Sequence, residues 1–424
     1  MLVLPPEHPQ RALLSDEVHA RPPSALQTPS RITHVSCLID AAASEAEARH
    51  IGELCQGFAV EWPGPRGNHF SARLGELAFT WERHGEFSGY TFTLAGTGEQ
   101  PAASLLPVGW LSALPGQTLV AIHAVLVREP EGGLSADLLA AHFGTNTVIG
   151  AEIAGGAGIA LTDFRIHAGG YSRIVLLDRS LTERQAGRSL QRLFEVEVYR
   201  MLALLALPIA QRQLGAVAAI EGELASLTRD IAAGAFDDET LLQHITALAG
   251  RVESELVASQ FRFGACRAYS DLVLTRIAEL RERRLAGMQT VGEFMERRFK
   301  PAVATCATVA QRLHGLSEQV ARTSTLLSTR VDIARERQNQ ALLASMDRRA
   351  KMQLRLQQAV EGLSVAAIVY YVAGLIGYLA KGLKARGASI DADVIVAVAI
   401  PIIAILVLYA TNRARRRAIA GERP

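Results

Sequence analysis

Along residues 31–180 the apolar positions recur either with the two-residue alternation of a half-buried strand or as short aliphatic blocks, separated by turn residues. "RITHVSCLID" predicts a strand, "LAFTWER" and "FSGYTFTL" a hairpin about the turn "HGE", and "LVAIHAVLV" an apolar strand. "TVIGAEI", "IALTDFRIH" and "YSRIVLLD" predict three more, separated by glycine-containing turns. "SEAEARHIGELCQGF" changes period and places Ala48, Ile51, Leu54, Cys55 and Phe58 on one helical face. One mainly antiparallel sheet with one or two helices accommodates all of these. The glycines of "AGGAGIA" suggest a phosphate loop, but no Lys-Ser/Thr follows and the next segment is a strand, so a hairpin turn is the better reading.

After Asp178 the strand period stops, and Ala, Leu, Arg, Glu and Gln dominate. A helix is expected from about Thr182 through "LQRLFEVEVYRMLALLALPIAQRQL", kinked at Pro208, with its short apolar core at 201–210 buried against the sheet. A second helical unit covers about 238–285, and a third helix starts near Val291. Past Pro301 no proline interrupts that helix, and Val309, Leu313, Leu316, Val320 and Leu327 follow a seam spacing that fades in "RERQNQ". Residues 302–360 predict a stalk of about 90 Å at ~1.5 Å per residue, packed against symmetry mates or against the two preceding helices.

Two runs are then apolar on every side. Residues 363–380 carry no charge and make about 27 Å of helix, close to the ~30 Å hydrocarbon core of a bilayer. Residues 394–410, "VIVAVAIPIIAILVLYA", are nearly all aliphatic, and Pro401 is compatible with a kinked membrane helix. Arg348, Arg349, Lys351 and Arg355 precede the first run and Arg413, Arg415, Arg416 and Arg417 follow the second. The connection has Lys381, Lys384 and Arg386 offset by Asp391 and Asp393, so the positive-inside rule puts both ends of the hairpin in the cytoplasm. "DRRAK" could touch lipid headgroups from that side or be a solvated helix face.

The expected fold is α+β: a strap (1–30), an α/β domain (31–180), a helical region (181–290) and a stalk (291–362). A first span (363–384), an outer loop (385–393), a second span (394–410) and a basic tail (411–424) complete it.

Composition refines this little. Lys+Arg 44 against Asp+Glu 42 leaves a net charge of +2, which gives no field for nucleic acid, and no nucleic-acid partner is expected. The four cysteines lack CxxC spacing and read as reduced, buried thiols. "MLVLPPEHPQRALL" lacks the basic start and long apolar run of a signal peptide, so the front of the chain is expected to stay in the cytoplasm. The eleven histidines show no HExxH and no i,i+4 pair, and no Ser, His and acid spacing suggests a triad. No enzyme activity and no cofactor are expected, and the metal question stays open.

Three clusters invite a functional reading. Glu17, His19 and Arg21 in "EVHARPP" could bind a ligand, or the segment could be an extended strap tied to the sheet by its polar groups. On a helical wheel of the first span, Ala367, Tyr370, Tyr371, Gly374, Gly377 and Tyr378 fall within about 60° of Gly374, and Lys381 continues the stripe. That side suits close helix packing or a narrow pore. Asp391 and Asp393 could attract a cation to the outer loop.

"HPQRALLSDEVHARPP" (8–23), "TDFRIHAGGYSRIVLLD" (162–178), "QAGRSLQRLFEVEVYRMLALLALPIA" (185–210) and "VEGLSVAAIVYYVAGLIGYLAKG" (360–382) resemble the hallmarks of a bacterial family of predicted membrane-anchored proteins of unknown function. The resemblance implies a bacterial inner-membrane location and brings no activity. The plan of cytoplasmic domain, stalk and two C-terminal spans also resembles the CorA-type magnesium channels, pentamers whose first span lines the pore. Their Gly-Met-Asn signature is missing; the corresponding stretch here is "YYVAGLIGYLAKG". Two functions follow as expectations: an oligomeric CorA-like ion channel or transporter, or a membrane-anchored scaffold or sensor without transport. The implied partners are a lipid bilayer, further copies of the chain and, for the channel, a cation.

Overall fold

The computed structural model describes residues 5–11, 14–15, 23–40, 42–64, 67–234, 236–385 and 391–420. It divides into two units, Met1–Thr325 and Leu326–Pro424.

The first unit is α+β. Its strands are β1 (Ser30–Leu38), β2 (His69–Leu74), β3 (Leu77–Arg83), β4 (Phe87–Ala95), β5 (Gln117–Arg128), β6 (Ile149–Ile153), β7 (Gly158–Thr162), β8 (Ser172–Asp178) and β9 (Arg283–Arg284). They form one nine-stranded sheet in the order β2-β3-β4-β1-β5-β8-β7-β6-β9. The β5–β8 ladder is parallel and the other ladders between these strands are antiparallel. "AGGAGIA" forms the turn between β6 and β7 and the start of β7; in the turn Gly155 and Gly156 take φ of 78° and 98°, a region that glycine enters without a Cβ clash.

Helix α1 (Ser44–Gly57) covers one sheet face, and α2 (Ala136–Phe143) packs beside β8. Strand alternation sends Val35 and Cys37 of β1, Phe79 and Trp81 of β3, and Tyr90 and Phe92 of β4 to the α1 side, against Ile51, Leu54 and Cys55. Each such fully buried apolar side chain contributes roughly 1.5–3 kcal/mol. The α1 face also buries Glu47, whose carboxylate accepts bonds from Trp81 Nε1 (2.8 Å) and Tyr90 OH (2.6 Å) and pairs with Arg83. Burial raises the Glu47 pKa, but bonds from Arg83, Tyr90, Ser88 and Trp81 outweigh it and hold it below the usual carboxylate range.

Helix α3 (Glu183–Leu204) starts in a capping box made by Thr182 and Gln185. The expected kink at Pro208 is instead a break between two helices: α3 ends at Leu204 and α4 (Leu207–Ala233) begins with Pro208 in its first turn. Proline has no N–H to lose there, so it starts a helix rather than bending one. Helix α5 (Asp238–Leu280) follows, then the short α6 (Val291–Arg298) and α7 (Lys300–Ala385). Within the first unit, α7 buries Cys306, Val309, Leu313, Leu316 and Val320. Arg312 binds Glu221 of α4 through two bonds of 2.9 and 2.5 Å, and Ser317 binds Glu253 of α5 at 2.7 Å. The start of the stalk thus packs against the two preceding helices.

The second unit holds the rest of α7 and α8 (Ala392–Ala420). Both helices contain a stretch long and apolar enough to cross a membrane. Buried Ala373, Ala380 and Ile403 mark their contact, and a Cβ on Gly377 would lie 3.2 Å from Val396 Cγ2.

Candidate functional site

The sheet face turned away from α1 is polar. The alternation that aims aromatic rings at α1 turns His34 and Ser36 of β1, Thr80 of β3, and Gly89, Thr91 and Thr93 of β4 to the other side. Such a face ordinarily meets solvent, yet here α3 lies over it with Leu190, Phe194 and Val198 buried. Small side chains do not fill the space, and a cavity of about 120 Å³ remains between sheet and helix.

The mouth of the cavity is built by residues 23–26. Leu26 N donates to Glu183 O (3.0 Å), and Ser24 O passes so close to Gly187 that a Cβ there would stand 1.7 Å away. Glycine inside α3 is what lets the strap cross the helix at contact distance. Among the described residues this strap is held by backbone contacts to α3. Glu17, His19 and Arg21 lie outside the described residues.

His34 closes the floor. Its ring stacks on Phe194 at 4.8 Å, and its nitrogens lie 2.9 Å from Thr91 Oγ1 and 2.9 Å from Ser36 Oγ. Burial, with a smaller contribution from His84, lowers its pKa to about 3, so the ring is neutral. Glu82, His84 and Glu195 also line the cavity. Burial pushes the Glu195 carboxyl up, against the charge of Arg276, with which it pairs.

Outside the mouth lies an open cleft of about 780 Å³, lined by Arg184, Arg188 and Arg192 of α3, Arg276 and Glu279 of α5, and Glu195. It meets the cavity at Pro23, Ala25, Gln191 and Glu195, which line both. Arg192 is fixed on Glu279 (2.9 Å to Oε2, 3.0 Å to the carbonyl), and Arg276 on Glu195. Arg184 and Arg188 are exposed and have no carboxylate partner among the described residues.

In the second unit, Tyr370, Tyr371, Gly374, Gly377, Tyr378, Lys381 and Asp393 line one groove with Val396 and Ile400. Ala367 is exposed and lies outside it. Asp391 caps α8: its carbonyl accepts from Ile395 N (3.2 Å) and its carboxylate from Asp393 N (3.1 Å). Gly374 has open space where a Cβ would stand. Among the described residues no group of three or more His, Cys, Asp or Glu could hold a metal ion.

The cavity walls escape sequence reasoning because Thr80, Thr91 and Thr93 alternate with aromatic positions as a solvated face does. Only the presence of α3 above them changes that meaning. The Arg184, Arg188, Arg192 spacing is visible in the sequence as an i, i+4, i+8 stripe, but Arg276 comes from a distant helix.

A family model described as "Protein of unknown function (DUF3422)" matches residues 6–418. The chain belongs to that family. No curated protein and no solved structure matches it. In this DUF3422 chain the stretch 185–210 supplies the helix over the cavity, and 162–178 spans β7 to β8 across a glycine-containing turn.

Proposed function

We propose that this chain is a membrane-tethered sensor: a binding protein of the bacterial inner membrane whose sheet domain takes a small ligand and whose two apolar helices anchor it. Both termini are cytoplasmic in this reading, and the site binds without catalysis. One observation carries it: α3 covers a polar sheet face and leaves a cavity there. His34 bonds Thr91 and Ser36, and Thr80 bonds Ser71, which holds this polar face in place, and hydroxyls with lone pairs to spare can still accept from a ligand in the cavity.

Thermal melting of the full-length protein in neutral detergent, against a panel of small metabolites, tests the binding. Thr93→Phe places a ring in the cavity from a strand position that tolerates aromatics. A compound that raises the wild-type melting temperature and leaves Thr93→Phe unmoved supports the proposal; equal shifts in both proteins refute it. Alkaline carbonate extraction tests the tether, and release of the intact chain into the supernatant refutes that part.

A second reading, the oligomeric ion channel of CorA-like plan, is favoured by the groove that gathers three tyrosines, Lys381 and Asp393 on an otherwise apolar hairpin. The open space beside Gly374 leaves room for another copy of the chain. Liposome flux assays with divalent and monovalent cations test it, and silence under every gradient removes it.

A further inference from the structure

The arginine cleft in front of the cavity restricts what the ligand can be. We infer, on the basis of the binding reading above, that it is a soluble organic phosphate of nucleotide size, with its phosphates in the cleft and its uncharged body in the cavity.

Three features point to phosphate. Arg184, Arg188 and Arg192 recur every four residues along α3, which spaces them about 6 Å apart and offers a row of forked donors matched to the oxygens of a di- or triphosphate. Arg276 joins them from α5. Glu279 and Glu195 hold Arg192 and Arg276 in place, so less side-chain entropy is lost when a ligand binds. Glu195 and Glu279 do not neutralise four arginines, so the cleft keeps an excess of positive charge with Arg184 and Arg188 open to an anion.

The cavity decides the body. Cleft and cavity share the lining of Gln191 and Glu195, so a ligand held at the arginines continues inward without crossing a wall. The inner lining sets the hydroxyls of Ser36, Thr91 and Thr93 beside apolar Ile32, Phe194 and Val198, a mixture that suits a sugar or a heteroaromatic ring. A cavity of about 120 Å³ is small for the two acyl chains of a phospholipid, which disfavours one. Size agrees: small-molecule sites run to roughly 300–1,000 Å³, more than the cavity of about 120 Å³ alone but within reach once the cleft of about 780 Å³ is included.

The test is isothermal titration of the full-length protein in neutral detergent at low salt, with ATP, pyrophosphate, adenosine and a short-chain phosphatidic acid as probes. The wild type binds ATP and pyrophosphate, ATP more tightly, and adenosine weakly. Arg184→Gln with Arg188→Gln weakens ATP by about tenfold or more, as expected for lost charged hydrogen bonds, at an unchanged melting temperature. Thr93→Phe weakens ATP but spares pyrophosphate. ATP affinity that survives the double arginine variant, or adenosine binding as tightly as ATP, overturns the phosphate assignment while leaving a ligand in the cavity. Phosphatidic acid binding more tightly than ATP overturns the soluble body. No binding of any phosphate probe overturns the inference as a whole, and the Thr93→Phe melting panel then decides the cavity separately.

Discussion

The imidazole of His34 lies flat against the ring of Phe194, with 4.8 Å between centroids and 15° between planes. This contact joins β1 to α3 across the cavity floor and holds a titratable group in a buried place. Its pKa falls from 6.5 to about 3, chiefly through burial. The unfolded chain takes up a proton as pH drops below 6.5, whereas the folded chain does not until near 3. The stability from neutral His34 is therefore complete above pH 6.5 and is lost at about 1.4 kcal/mol per pH unit below it. His34→Gln should flatten the fall in melting temperature between pH 6.5 and 5; an unchanged slope would show that the ring is solvated.

Gly187 is the point where the strap crosses α3. A methyl group there meets Ser24 O at 1.7 Å, so Gly187→Ala must displace the strap. We expect a cost of about 1–3 kcal/mol, despite alanine's higher helix propensity, together with faster proteolysis near residue 24. A variant as stable as wild type would show that the strap does not lie on the helix.

Glu47 anchors the opposite face. Glu47→Gln leaves Arg83 without its carboxylate and weakens the bonds from Trp81 and Tyr90. The expected loss is about 3 kcal/mol, read as a lower melting temperature with a red shift in tryptophan emission. Because the folded pKa of Glu47 is depressed, this contribution is present above the unfolded carboxylate pKa and fades as pH falls through the folded one. The variant and wild type should thus converge in strongly acidic buffer.

The two glycines of the hairpin should behave differently. Gly377 sits against Val396, so Gly377→Leu pushes the two apolar helices apart and lowers the melting temperature in detergent. A Cβ at Gly374 meets nothing within 4 Å in its own chain, so Gly374→Leu should lower that temperature less than Gly377→Leu does. A change of oligomer size in Gly374→Leu, measured by light scattering, is expected if that face contacts another copy. Equal melting losses in the two variants would contradict the placement of the helix contact.

Much of this architecture is legible along the chain because period carries it. Leu77, Phe79 and Trp81 alternate with the smaller Ala78 and Thr80, and β3 follows; the charge-free runs are helices in the second unit. Other features depend on residues brought together from far apart. Glu47 reads as a surface residue until Trp81, Arg83 and Tyr90, at least 34 positions away, converge on it. Strand β9 has two residues, too few for any alternation to show. The break at 205–206 stands where a kink at Pro208 is expected, because a proline that would bend a helix from its middle starts one from its first turn. The cavity is the least legible, because its walls differ from a solvated sheet face only in having α3 above them.

The most direct test of the central claim is native mass spectrometry of the full-length protein, equilibrated with a cytoplasmic metabolite extract and released from detergent in the gas phase. The account predicts a small-molecule adduct on wild type that Thr93→Phe does not carry. No adduct on either protein, or the same adduct on both, would contradict a ligand cavity between the sheet and α3.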